Sequence, residues 1–164
     1  MTDVILEYFS RDGGLLGVFL VSMMPIIELR GAVPFGVGLG HNGLLVYIIS
    51  VIGNMLPVPF IILFIRPIIE WLIKTKYFAK LGLWLEERTM KNKDKITKYK
   101  KLGLYIFVAI PLPGTGAWTG AMLAGLMDMR LKDALPAVLL GVMTAGVIML
   151  LISYGIGGVL NIFA

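Results

Sequence analysis

Apolar residues run through this chain in long blocks with few interruptions. Residues 13–40 carry only two charges, Glu28 and Arg30, and are broken around Pro25, Gly31 and Pro34. Residues 44–65 form an almost wholly apolar run of 22 residues, enough to cross a ~30 Å hydrocarbon core. Pro57 and Pro59 predict a kink in that run rather than its end. Residues 102–127 are apolar again and are broken at Pro111-Leu-Pro-Gly-Thr-Gly116. After a polar run at 128–133, residues 134–152 read as a second continuous span that extends into the glycine-rich stretch up to Leu160.

Two polar stretches flank or separate these blocks. Residues 2–12 place Val4, Ile5, Tyr8 and Phe9 at helical spacing and predict a short interfacial helix. Residues 66–101 place Trp71, Phe78, Leu81, Trp84 and Leu85 near helical spacing among lysines, which predicts an amphipathic helix at the headgroup boundary.

The order is broken segment then span, twice. Pro25 and Pro111 are 86 residues apart, and Gly53 and Gly141 are 88 apart. The expected organisation is one membrane domain over 1–164: an interfacial helix 1–12, a first repeat 13–65, a basic linker 66–101 and a second repeat 102–160. Broken helices at corresponding places in two halves point to a binding site at the repeat interface.

Composition agrees with a membrane protein: 58% of residues are hydrophobic, 15% are charged and mean hydropathy is +0.89. A soluble domain carries about 25% charge. Of 15 Lys and Arg, 11 lie between 66 and 101, so that linker is expected to face the cytoplasm. Residues 128–133 contain Arg130 and Lys132, which the same bias places on the cytoplasmic side too. Segment 102–127 must then enter and return as a re-entrant hairpin. About eleven residues of helix rise only ~16 Å, half the core. The same logic makes 13–40 a hairpin entering from the opposite side, with acidic Asp3, Glu7 and Asp12 outside. The expected fold is therefore all-α: two inverted repeats, each a re-entrant helical hairpin plus one transmembrane helix, joined by a cytoplasmic amphipathic helix. A plain four-helix bundle is the other arrangement these blocks allow.

The net charge of +5 resides in the linker and suits an anionic lipid surface; nothing resembles a nucleic-acid-binding face. There is no cysteine and one histidine, His41, which reads as a loop residue. The ten methionines are scattered and read as core. No zinc motif, phosphate loop or Ser–His pairing is present, so neither an enzyme nor a metal or cofactor site is expected. The N-terminal stretch, which is acidic, does not read as a cleavable signal peptide.

Candidate chemistry lies at the two breaks. Ionisable groups at membrane depth cost about 2.5–3.5 kcal/mol each on insertion scales and default to a functional reading. Glu28 is the candidate proton-responsive carboxylate and Arg30 the candidate anion contact, because a guanidinium grips oxyanions with two parallel hydrogen bonds. A purely structural pairing of the two remains an open alternative. The second break is uncharged. It offers Pro111, Pro113, Gly114, Thr115, Gly116, Trp118 and Thr119 to a substrate held against Glu28, Arg30 and Pro34; tight helix packing by small residues is the competing reading. Secondary candidates are Asn54, Asp128 and Arg130.

Glu-Leu-Arg-Gly-Ala-Val-Pro at 28–34 and Pro-Leu-Pro-Gly-Thr-Gly-Ala-Trp-Thr-Gly at 111–120 resemble the two motifs of the small multidrug export protein family. The resemblance covers about residues 15–155. That family is similar in architecture to the DedA group with its VTT-domain proteins. The resemblance implies two opposed re-entrant hairpins and movement of lipids, including undecaprenyl phosphate in bacteria, with proton coupling. By carry-over Glu28 matches the acidic residue of the first hairpin. The arginines of the DedA second hairpin have no counterpart in 111–120; Arg130 follows it.

The expected function is a secondary transporter or lipid translocase in the cytoplasmic membrane of a prokaryote, handling an amphipathic or anionic lipid-like substrate through a site between the hairpins. Its expected partners are membrane lipids, protons and a second copy in a homodimer. Alternatives are a gradient-independent phospholipid scramblase or polyprenyl-phosphate flippase, and a non-transporting scaffold.

Overall fold

The computed structural model describes residues 13–74, 80, 82–84, 87, 100–112 and 114–163. The expected interfacial helix 1–12 and most of the linker 66–101 lie outside the described residues, as does Pro113. The described secondary structure is all helical: α1 Gly13–Met23, α2 Glu28–Gly38, α3 Gly43–Met55, α4 Val58–Lys74, α5 Lys100–Ala109, α6 Ala117–Leu126 and α7 Leu131–Phe163. Two helical stretches are long and apolar enough to cross a membrane, Gly43–Trp71 and Leu131–Gly155, among the described residues. The first combines α3 and α4, separated only by a bend at Leu56 and Pro57, as the prolines predict.

Two boundaries differ from the sequence expectation. The first break spans 24–27 only, and Pro34 lies inside α2 rather than ending the break. A proline in a helix interior withholds one backbone bond without abolishing the helix when the surroundings hold it. The first long helix also runs past residue 65 to Lys74, so Arg66 sits within it rather than in a linker. Arg66 and Glu70 are one turn apart and pair at 3.3 Å, which suits continued helix.

The chain divides into two compact units. Unit 1 is Met1–Leu56 with Val142–Ala164; unit 2 is Pro57–Gly141. Each holds a pair of short helices, the first part of the long helix that follows the pair, and the later part of the other long helix.

In unit 1, α1, α2 and α3 pack against one another. A Cβ added at Gly36 of α2 would touch Val18 of α1 at 2.8 Å and Val46 of α3 at 2.7 Å. Val18, Leu29, Ala32, Val33 and Val46 are fully buried there. Further along, Gly53 of α3 lies against the Phe19 carbonyl oxygen, which an added Cβ would approach to 2.8 Å. The short connections at 24–27 and 39–42 turn α2 back on both neighbours, so α1 and α3 run in the same direction. The Tyr154 hydroxyl accepts from the Gly43 N–H at 3.1 Å, tying the end of this unit's segment of α7 to the start of α3.

In unit 2, α6 packs on α4 and on α5. Leu104, Phe107, Val108, Ala121, Leu123 and Ala124 are buried. Gly141 of α7 lies against the Tyr105 carbonyl oxygen, with an added Cβ 3.0 Å away. Arg66 of α4 pairs with Asp128, which follows α6.

The local structures of the two units recur at a fixed spacing. Helix α2 ends with Leu39 N–H on Phe35 O, Gly40 N–H on Val37 O and His41 N–H on Gly36 O. Helix α6 ends with Met127 N–H on Leu123 O, Asp128 N–H on Gly125 O and Met129 N–H on Ala124 O. Every donor and acceptor is displaced by 88 residues. Both are Schellman ends, which need a left-handed residue after the helix; Gly40 has φ 82° and Asp128 φ 54°. Helices α3 and α7 then begin 88 residues apart, at Gly43 and Leu131. Before the breaks the displacement is 86: Gly53 meets Phe19 and Ser22, and Gly141 meets Tyr105 and Val108. The second break is therefore longer by two residues.

Candidate functional site

Four polar residues are buried among the described residues, and all belong to unit 1: Ser22, Glu28, Ser50 and Asn54. Each sits where the helices meet near the first break. Ser22 occupies the last turn of α1 and donates its hydroxyl to the Phe19 carbonyl at 2.7 Å. Ser50 and Asn54 stand one turn apart on α3, hence on one face. Gly53 presents its missing side chain to the Ser22 hydroxyl.

Glu28 opens α2. Its N–H donates to the Met24 carbonyl at 3.0 Å, and the Gly31 N–H to Ile27 at 3.1 Å, so the break keeps helix-like bonding. Its backbone nevertheless has φ 52°, and its residue is 5% exposed while Ile26 beside it is 93% exposed. A non-glycine residue held left-handed costs about 1–3 kcal/mol and persists where the surroundings impose it, often at functional positions. Counted from the Gly36–Val46 contact, Glu28 lies eight residues back along α2 and Asn54 eight residues forward along antiparallel α3. Both lie about 12 Å along their helices, so they share a depth. Arg30 is half-buried and feels the Glu28 charge. Pro34, half-buried one turn further on, has no N–H to offer the Arg30 carbonyl.

The second break belongs to unit 2. Thr115 uses its hydroxyl within the turn, at 2.8 Å from the Ile110 and Leu112 carbonyl oxygens. Gly114 has φ 82° and Gly116, which precedes α6, φ 143°, conformations that favour glycine. Pro111, Trp118 and Thr119 are half-buried there and Gly114 is exposed. Asp128 is exposed and paired with Arg66, and Arg130 is exposed. Glu28, Arg30, Pro34 and Asn54 thus fall in one unit; the second-break residues, Asp128 and Arg130 fall in the other.

Of the four buried polar residues, the sequence singled out Glu28 and Asn54 and not Ser22 or Ser50. The available signal was the pair Ser50 and Asn54, two polar groups four residues apart in an otherwise apolar span. Arg66 was read as linker charge because its partner, Asp128, is 62 residues away in sequence.

Long apolar helices, two pairs of short helices and a buried acid at a helix break define an α-helical membrane protein. Residues 28–148, well over half of the chain, match the family described as "putative small multi-drug export protein", and the chain belongs to that family. No curated protein and no solved structure matches it.

Proposed function

We propose that this protein is a secondary transporter or lipid translocase for an amphipathic or anionic lipid-like substrate, with Glu28 as its proton-responsive group and Arg30 as its anion contact. The observation that carries the reading is the buried Glu28, held in left-handed backbone at a break between two helices too short to cross a membrane. A carboxylate placed there at a cost of several kcal/mol marks an ion or substrate path.

The recurrence of hydrogen bonds at 88 residues supports two repeats of hairpin plus span. Helices α1, α2, α5 and α6 have 10 or 11 residues and rise about 15–16 Å, which supports re-entrant hairpins. One span lies between the two hairpins, and the basic residues of 66–101 favour the cytoplasm, so the second repeat has inverted topology. The protein resides in the cytoplasmic membrane of a prokaryote as a homodimer, because the two spans among the described residues enclose little.

Reconstitution into liposomes tests the reading. Movement of labelled phospholipid or polyprenyl phosphate, with and without a pH gradient, is measured for wild type and Glu28→Gln. Transport that Glu28→Gln reduces at least tenfold supports it. Equal rates for both proteins, or no movement of any lipid and no proton flux, would remove it. A scramblase would show the same lipid movement in the absence of a gradient.

A further inference from the structure

The polar layer of unit 1 has no polar counterpart at the positions 86 or 88 residues further along the chain. The displacement of 86 before the break maps Ser22 onto Val108, and the displacement of 88 after it maps Ser50 onto Val138 and Asn54 onto Val142. All three valines are buried, at 1% exposure or less. The same packing positions therefore accept valine, and packing does not demand polar side chains there. Valine would also avoid a penalty. A buried polar atom without a partner costs about 1–3 kcal/mol, and both Ser50 Oγ and Asn54 Oδ1 are buried without one.

The unpartnered atoms specify the chemistry. Asn54 Oδ1 is an acceptor only, so it calls for a cation or a donor. Ser50 Oγ adds a second oxygen one turn away. The Ser22 hydroxyl, already donating to Phe19, keeps lone pairs, and Gly53, the neighbour of Asn54, packs directly against that hydroxyl. Glu28 sits at the depth of Asn54 and supplies a carboxylate. Among the described residues no three His, Cys, Asp or Glu cluster together, which disfavours a transition metal. Calcium takes six to eight oxygens, several of them carboxylate. A single carboxylate, its charge already opposed by Arg30, leaves room for no more than a monovalent cation.

We infer that Ser22, Ser50 and Asn54, beside Glu28, form a binding site for a small hard monovalent cation, with sodium the ion it fits. The site places a coupling ion next to the proposed proton-responsive group and in that purpose rests on the transport reading. Binding itself does not require transport.

The test is thermal unfolding of the full chain in detergent with sodium chloride, potassium chloride or choline chloride at one ionic strength. Wild type is expected to gain a saturable rise in Tm with sodium alone. Ser50→Val and Asn54→Val are each expected to weaken the apparent sodium affinity at least tenfold, and the double variant to abolish it. Asn54→Asp, which replaces the acceptor by a carboxylate of the same shape, is expected to tighten sodium binding and make it pH-dependent. It serves as the second probe where a valine variant fails to fold. Wild-type stability independent of sodium overturns the site and leaves a buried water as its occupant. A sodium effect undiminished in both Asn54→Val and Ser50→Val also overturns it. Sodium binding without lipid movement in liposomes would retain the site and remove the transport reading.

Discussion

Asp128 holds the left-handed backbone position that Gly40 holds 88 residues earlier, and it alone of the two carries a side chain, which pairs with Arg66. Left-handed backbone costs a non-glycine residue about 1 kcal/mol or more, and an ion pair as exposed as this one offsets little of it. Asp128→Gly is therefore expected to leave stability within about 1 kcal/mol of wild type, whereas Asp128→Ala keeps the strain, loses the pair and falls below both. Unfolding midpoints in detergent give the order. Asp128→Ala as stable as Asp128→Gly would show that the turn is not strained.

Gly53 and Gly141 let helices approach a backbone carbonyl, that of Phe19 and that of Tyr105. Backbone cannot swing aside as a long side chain does. Gly53→Ala and Gly141→Ala are each expected to destabilise by about 1–3 kcal/mol through overpacking. Gly38→Ala is the control: nothing lies within 4 Å of its added methyl. It should be neutral or raise stability by up to about 1 kcal/mol.

The start of α3 is held by two side chains. Asn42 Oδ1 accepts from Leu44 and Leu45 N–H at 3.0 and 3.3 Å, and Tyr154 accepts from Gly43. Asn42→Ala should cost about 1 kcal/mol, and Tyr154→Phe about 0.5–1.5 kcal/mol. Hydrogen exchange should locate the effects, at the amides of 44 and 45 in the first case and at that of 43 in the second. Unchanged protection at those amides would show that the caps do not hold the helix start.

Membrane topology can be read with single cysteines, since the chain has none of its own. His41→Cys lies in the turn after α2 and Arg130→Cys in the corresponding turn after α6. Inverted repeats expose them on opposite faces, so an impermeant maleimide added outside should label the first and not the second. Labelling of both from one side would rule out the inversion.

Much of this was legible from single residues. Pro25 and Pro111 mark the two breaks because proline interrupts backbone bonding wherever it stands. The spacings of 86 and 88 were visible in the letters, but two prolines and two glycines are weak grounds for a repeat. The hydrogen bonds at 35–41 and 123–129 add a likeness of two helix ends at the 88-residue spacing, which side-chain identities do not reveal. Glu28 was conspicuous as a charge in an apolar run. Its left-handed backbone was not, since nothing local distinguishes a strained glutamate from a helical one. Pro34 misled because a proline inside a packed helix looks, in sequence, like the end of one. Ser22 and Ser50 escaped because a serine in an apolar helix usually bonds back to its own backbone; Ser22 does and Ser50 does not.

Unit 1 is assembled from the first 56 residues and from Val142 onward. That division sets an order of events during synthesis. The segment that carries Glu28 emerges before the helix that ties to Gly43 through Tyr154, which lies 111 residues after Gly43. Pro57–Gly141, by contrast, is one uninterrupted stretch and has all its parts sooner. The unit that holds the buried acid therefore cannot close until Pro57–Gly141 has been made.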